Sequence, residues 1–142
     1  MKEKILLVDD EKEFLEIMAE RMSARDMEVT TAASALEAIK LIENHAYDAV
    51  VLDLMMPEMD GLDALKAMKD KRPELQIILL TGYATVEKGI EAMKLGAMDL
   101  VQKPADLKSL TEKIKKARAN KMIIVEKKAE EKIQSIITSK GW

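Results

Sequence analysis

The sequence predicts an α/β fold in which an open, parallel β-sheet is covered by helices on both faces. Short apolar runs alternate five times with segments whose apolar residues recur at helical spacing, and the links between them are short. The chain has 142 residues, which is too short for a closed eight-stranded barrel. Because crossovers between parallel strands share one hand, we expect a doubly wound sheet of five strands with five flanking helices.

The first two strands and helices are expected in the amino-terminal part of the chain. Ile5 to Val8 is an apolar run that ends at two aspartates, and helical spacing begins at Phe14. The β-branched run from Met27 to Thr31 predicts the second strand. Ser34, with Glu37 three residues later, forms the capping-box pattern that predicts the start of the second helix.

The third and fourth strands are the most apolar of the five. Ala49 to Leu52 reads as a buried strand that ends on an acidic residue, Asp53, and Asp60 is a plausible N-cap for the helix that follows. Gln76 to Leu80 predicts the fourth strand, and a fourth helix should end near Gly96.

The last part of the chain predicts a short fifth strand, a fifth helix and an extra C-terminal helix. The strand is expected at Asp99 to Val101 and the fifth helix from Leu107. Apolar residues after Asn120 also follow helical spacing, but out of phase with the fifth helix, which predicts a kink or hinge near Asn120. We therefore expect a domain over residues 1–119 and an amphipathic tail over residues 120–142. The tail either folds back on its own domain or serves dimerisation or docking.

Five polar side chains follow the predicted strands at their carboxyl ends: Asp9, Asp10, Asp53, Thr81 and Lys103. In an open parallel sheet these ends form the crevice where functional groups collect. Carboxylates without His or Cys ligands suit Mg²⁺ or Mn²⁺, and a carboxylate is also a competent nucleophile towards phosphorus. The pattern thus predicts a metal-assisted site that accepts a phosphoryl group on an aspartate.

Composition excludes several other classes of protein. A net charge of -3 gives no case for nucleic acid or an anionic membrane as partner, and the absence of cysteine excludes disulfides and thiolate chemistry. The amino terminus has neither a signal peptide nor a membrane span, so a cytoplasmic location is expected. A phosphatase of the haloacid-dehalogenase kind would need a second Asp at position 55, which is Met55 here.

Four motifs make the chain resemble the receiver domain of bacterial two-component response regulators. They are VDD at 8–10, LDLMMPEMDG at 52–61, LTG at 80–82 and GAMDLVQKP at 96–104. The similarity covers residues 1–119 and implies a flavodoxin-like sheet of order 2-1-3-4-5. It also implies a signalling domain rather than an enzyme, limited to metal-assisted self-phosphorylation and slow autodephosphorylation.

The resemblance assigns roles to the acidic residues. Asp53 matches the phosphorylated aspartate, Asp10 matches the direct Mg²⁺ ligand, and Asp9 matches its partner that acts through water. The main-chain carbonyl of Met55 matches the third protein position of the metal site. The phosphoryl donor implied is a histidine kinase or a phosphotransfer protein.

The resemblance also implies how the signal leaves the site. Thr81 and Lys103 match the hydroxyl and the cation that hold the phosphoryl group, and the bond before Pro104 is expected to be cis. Leu100 stands where the family commonly has Tyr or Phe, so a rotating ring cannot act there. Tyr83 is either a gate over the site or an exposed loop residue.

Two functions are expected from these residues. The first is a stand-alone phosphoacceptor that signals to a protein through helix four, strand five and helix five. The alternative is a receiver-fold scaffold for oligomerisation in which phosphorylation is vestigial. Gly89, inside helix four, hints that this helix is mobile.

Overall fold

Five parallel strands form one sheet in the order 2-1-3-4-5, which confirms the predicted fold class. The computed structural model describes residues 2–56, 59–82 and 86–139. The strands are β1 (Lys4–Val8), β2 (Glu28–Ala32), β3 (Ala49–Asp53), β4 (Ile77–Thr81) and β5 (Asp99–Gln102). Each lies within two residues of its predicted position, because short apolar runs between turn signals are a local property of the chain.

The connecting segments are helical, as the apolar spacing predicts. The helices are α1 (Lys12–Ala24), α2 (Ala35–Asn44), α3 (Gly61–Lys71), α4 (Val86–Lys94) and α5 (Leu107–Ser139). Both predicted caps are present. The Ser34 hydroxyl accepts the Glu37 backbone N–H at 3.2 Å, and the Asp60 carboxylate accepts that of Leu62 at 2.9 Å.

The core has two layers, one on each face of the sheet. Side chains alternate along each strand, so Leu6 and Val8 pack towards α2, α3 and α4. Their neighbours Ile5 and Leu7 pack towards α1 and α5. All five residues of β3 and of β4 are buried, which is why their sequences read as continuous apolar runs.

The prediction of a separate C-terminal helix is wrong. One helix of 33 residues, α5, runs through Asn120 to Ser139, so the assigned helix has no break at the predicted kink. Residues 107–139 contain neither Gly nor Pro, and nothing in the backbone chemistry therefore stops the helix. The change of phase marks where α5 leaves the core: Leu110, Ile114 and Ala117 are buried, whereas most side chains beyond them are exposed.

Three basic residues of α5 contact segments that precede strands, at the sheet edge opposite the strand carboxyl ends. The Lys121 ammonium donates to the Tyr47 carbonyl at 2.9 Å. Arg118 and Lys128 lie 3.9 Å from the carboxylates of Glu3 and Glu74. These contacts orient the helix as it passes the edge of the sheet.

The C-terminal half of α5 carries a stripe of exposed apolar side chains. We use "tail stripe" for Met122, Val125, Ala129, Ile133 and Ile136. Met122 and Ile133 are 55% and 58% exposed. Lys121 and Lys128 of the tail thus contact the domain, whereas the side chains of the tail stripe are exposed. Across residues 2–56, 59–82 and 86–139, none of the helices is long and apolar enough to cross a membrane.

Gly89 has a packing reason to be glycine. It is buried in α4, and a Cβ built on it would lie 2.9 Å from both Cδ atoms of Leu100 on β5. The Leu100 side chain thus occupies the space that a larger residue at position 89 would need. Since this contact explains the glycine, a mobile helix is no longer needed to account for it.

Gly89→Ala should lower the free energy of unfolding by about 1 kcal/mol, because crowding of Leu100 outweighs the better helix propensity of Ala. In a Leu100→Ala background the sign should reverse, since only the propensity gain of about 1 kcal/mol remains. Urea unfolding of the four proteins measures both effects. An equal effect of Gly89→Ala in both backgrounds would show that the contact does not limit the packing of α4.

Candidate functional site

Asp9, Asp10 and Asp53 meet at the carboxyl edge of the sheet. Val8 pairs with Leu52, so the residues that follow them, at the ends of β1 and β3, are neighbours. One carboxylate oxygen from each of the three aspartates lies within 4.8 Å of the others. Asp9 and Asp53 are buried, and Asp10 is exposed. The fold therefore brings together the three acidic residues that the sequence singled out.

Asp53 lies in the most constrained part of this cluster. Its side chain is 6% exposed, and its Oδ1 accepts the backbone N–H of Met55 at 3.1 Å. Burial raises the pKa of the Asp53 carboxyl from 3.8 to about 6, against the opposing effect of that hydrogen bond. The charge of Asp9 raises the pKa further and that of Lys103 lowers it. The carboxylate is thus ionised but poorly solvated at neutral pH.

Lys103 brings a positive charge to the acidic cluster. Its ammonium lies 2.9 Å from Asp9 Oδ2 and 3.6 Å from Asp53 Oδ2, and Glu11 is 4.0 Å away. Burial disfavours the ammonium, but the hydrogen bond to Asp9 and the nearby carboxylates raise the pKa of Lys103 overall. Lys103 is therefore a firmly charged partner for anionic groups at this edge.

Thr81 ends β4 on the other side of Asp53. It is buried, and its hydroxyl donates to the Gly82 carbonyl at 3.0 Å. Its own carbonyl accepts the backbone N–H of Lys103 at 2.8 Å, so the ends of β4 and β5 are tied together. The register of β3, β4 and β5 places a carboxylate, a hydroxyl and an ammonium in sequence along one edge.

Four other predicted site residues have different outcomes. The peptide bond between Lys103 and Pro104 is cis, as predicted. Leu100 points away from the site and packs on α4. Met55 is 56% exposed, and the role of its carbonyl stays a prediction. Tyr83 lies outside the described residues.

Sequence reasoning missed Phe14 at this site. The ring of Phe14 lies under Lys103, with 4.7 Å from the ammonium nitrogen to the ring centroid. The sequence places Phe14 only at the start of the helical spacing of α1, and Phe14 does pack on the core. The available signal was that Phe14 follows Asp10 by four residues, because the first turns of α1 begin at the same edge of the sheet.

The donor set fits a hard divalent cation. Three carboxylates without His or Cys are the oxygen ligands that Mg²⁺ or Mn²⁺ takes, and Mg²⁺ commonly completes its octahedron with water and phosphate oxygens. Asp9, Asp10 and Asp53 would hold it. A cation there would also offset the mutual repulsion of the carboxylates.

The raised pKa of Asp53 predicts a pH dependence of stability in the absence of metal. Because the folded state holds the proton more tightly than the unfolded state, the free energy of unfolding should fall as pH rises from about 4 to about 6. Above that range the free energy of unfolding should be lower by about 3 kcal/mol than below it. In EDTA, Asp53→Asn should remove this pH dependence and should have the higher free energy of unfolding at pH 7.5. Addition of Mg²⁺ should reduce the difference in free energy of unfolding between the variant and the wild type. Urea unfolding across pH 4 to 8 measures the pH dependence of both proteins. Parallel plots of the free energy of unfolding against pH for the two proteins would contradict the raised pKa of Asp53.

Comparison with known proteins gives one consistent family. The family model described as the response regulator receiver domain matches residues 5–115. Over 107 residues, the chain is 35% identical to the photosynthetic apparatus regulatory protein RegA of Rhodobacter capsulatus, covering 75% of this chain and 58% of that one. It is 34% identical to the regulatory protein AtoC of Escherichia coli over 139 residues, covering 98% of this chain and 30% of that one. The chain thus spans only part of these relatives.

Solved structures agree with the sequence matches. The response regulator receiver domain protein of Clostridium thermocellum superimposes with a TM-score of 0.82 at 33% identity. The superposition covers 86% of this chain and 98% of that one. The likeness therefore extends over almost the whole of an independent receiver domain.

Proposed function

Since this chain belongs to the response regulator receiver domain family of two-component systems, we propose that it accepts a phosphoryl group on Asp53 in a Mg²⁺-dependent reaction. The donor is a phosphohistidine of a histidine kinase or phosphotransfer protein. The observation that carries the proposal is the buried Asp53 carboxylate between a three-carboxylate cluster and the Lys103 ammonium. Receiver domains are signalling modules rather than enzymes with external substrates, and this chain is proposed to act as one.

In the proposed reaction a carboxylate oxygen of Asp53 attacks phosphorus. A P–O bond forms, the P–N bond of the phosphohistidine breaks, and its electron pair returns to the imidazole. Phosphoryl transfer requires alignment and neutralisation of the equatorial oxygens more than covalent assistance. Mg²⁺ held by Asp9, Asp10 and Asp53 would neutralise part of the charge on these oxygens, and the Lys103 ammonium neutralises the rest.

The aspartyl phosphate is proposed to signal through α4, β5 and α5. It adds a charge of about -1.5 to -2 beside Thr81 and Lys103, which can bind its oxygens. The Lys103 backbone N–H is hydrogen-bonded to the Thr81 carbonyl, so a shift of either residue moves the ends of both β4 and β5. Leu100 then transmits the shift by its contact with Gly89 of α4, in place of a rotating aromatic ring.

A second function, homodimerisation through α5, is favoured by the exposed tail stripe. A helix that projects into water with an uncovered apolar face is marginally stable unless that face is packed. Residues 126–132 carry three lysines and three glutamates around the stripe, so this segment brings no net charge to the approach of two copies. We propose a second copy of this chain as the occupant of the stripe.

The proposed phosphoryl acceptance is tested with the intact protein, a small acyl phosphate and Mg²⁺. Intact mass spectrometry should show a gain of one phosphoryl group, and EDTA should prevent it. No gain in mass with Mg²⁺ present would support the alternative of a receiver-fold scaffold for oligomerisation in which phosphorylation is vestigial. The same samples in analytical ultracentrifugation report the oligomeric state with and without the phosphoryl group.

A further inference from the structure

The Lys103 ammonium needs a contact that does not depend on the carboxylates of the acidic cluster. Its ammonium is held by Asp9 at 2.9 Å and lies 3.6 Å from Asp53. Both carboxylates belong to the cluster that fits Mg²⁺, so a bound cation would compete with the ammonium for their oxygens. Lys103 has a flexible four-carbon side chain and would lose its fixed position when these oxygens turn towards the metal.

Glu11 is the alternative carboxylate, and it is exposed to solvent. It is 4.0 Å from the Lys103 nitrogen, and its side chain is 69% exposed, whereas Asp9 and Asp53 are buried. An ammonium drawn to Glu11 would move towards water and away from Asp53. A partner on the buried side is needed to oppose this movement.

The ring of Phe14 is such a partner. It lies in α1, is partly buried against the core, and has its face 4.7 Å from the ammonium. A cation at this distance from an aromatic ring is attracted by the ring quadrupole, and the attraction does not use a carboxylate oxygen. A cation bound by the carboxylates would therefore not remove this attraction.

We propose that Phe14 is a positioning residue that keeps the Lys103 ammonium beside Asp53 through a cation–π contact while the carboxylates hold the metal. The proposal rests on the proposed phosphoryl acceptance at Asp53. It assigns to α1 a part in that reaction that the apolar spacing of the helix does not reveal.

Phe14→Leu and Phe14→Tyr separate positioning from packing. Leu keeps an apolar side chain in the core but has no ring face, whereas Tyr keeps the ring. At saturating Mg²⁺ and acyl phosphate, Phe14→Leu should accept the phosphoryl group about two- to fivefold more slowly, as expected for a cation–π contact of ordinary strength. Phe14→Tyr should stay within about twofold of the wild type. Ile17→Ala, at an exposed position of the same helix, is the control and should not change the rate.

A spectroscopic measurement tests the contact independently of the reaction. The ring current of Phe14 should shift the ε-methylene protons of Lys103 upfield, with the signal assigned by its loss in Lys103→Met. The shift should remain when Mg²⁺ is added, persist in Phe14→Tyr and vanish in Phe14→Leu.

The two measurements distinguish the possible failures. A wild-type chain that shows the ring-current shift but takes no phosphoryl group would overturn the proposed function and leave the contact intact. Equal rates for the wild type and Phe14→Leu would overturn the positioning role, as would a Phe14→Tyr variant as slow as Phe14→Leu. Loss of the ring-current shift on addition of Mg²⁺ would also overturn it.

Discussion

Asp53→Asn should take up no phosphoryl group from an acyl phosphate in the presence of Mg²⁺, whereas the wild type should gain one. The amide has no carboxylate oxygen to attack phosphorus, and it removes one negative charge from the acidic cluster. Its shape is nearly that of the aspartate, so the packing of β3 should be kept. Intact mass spectrometry under matched conditions measures the difference.

Asp63→Asn is the matched control for this experiment. Asp63 is exposed in the first turn of α3 and is not part of the acidic cluster, so its variant should be phosphorylated at the wild-type rate. A mass gain that survives Asp53→Asn would place the acceptor elsewhere and contradict the role of Asp53. Circular dichroism and urea unfolding establish that a failure to react is not a failure to fold.

Ile133→Asp should weaken the proposed dimer by at least about 100-fold in dissociation constant. Burying an Ile side chain stabilises by about 1.5 to 3 kcal/mol, and a symmetric dimer buries it once from each copy. The substituted carboxylates would also face each other or the apolar stripe. Sedimentation equilibrium over a range of concentrations measures the change.

Ile123→Asp is the matched control, because Ile123 and Ile133 are 63% and 58% exposed on the same helix. The two positions differ by about 80° around the helix axis, and Ile123 lies outside the tail stripe. Its substitution should leave the dissociation constant within about threefold of the wild type. Equal effects of the two variants, or a wild type that stays monomeric at high concentration, would contradict a dimer through the tail stripe.

The sequence predicted the positions of the strands and the polar residues that follow them because both are local patterns. An apolar run such as Ala49 to Leu52 ends where a polar residue appears, and parallel topology brings such ends to one edge. The caps at Ser34 and Asp60 are equally local, since a side chain there bonds to an N–H two or three residues on.

Contacts between distant residues could not be predicted in the same way. Phe14 meets Lys103, and Gly89 meets Leu100, only because the sheet places their elements side by side. Apolar spacing identifies which face of a helix is buried but does not say which side chain it meets. For that reason apolar spacing alone identifies Phe14 as part of a helix, and a glycine at position 89 alone suggests mobility.

The course of α5 shows the same division. The sequence determined by itself that residues 107–139 are helical and that their apolar stripe changes phase near Asn120, because spacing along the chain records which residues can share a face. Only the tertiary structure decided that this change marks where one continuous helix leaves the core. The reason is physical: the helix continues wherever its backbone bonds are kept, and the contacts of Arg118, Lys121 and Lys128 direct it past the sheet.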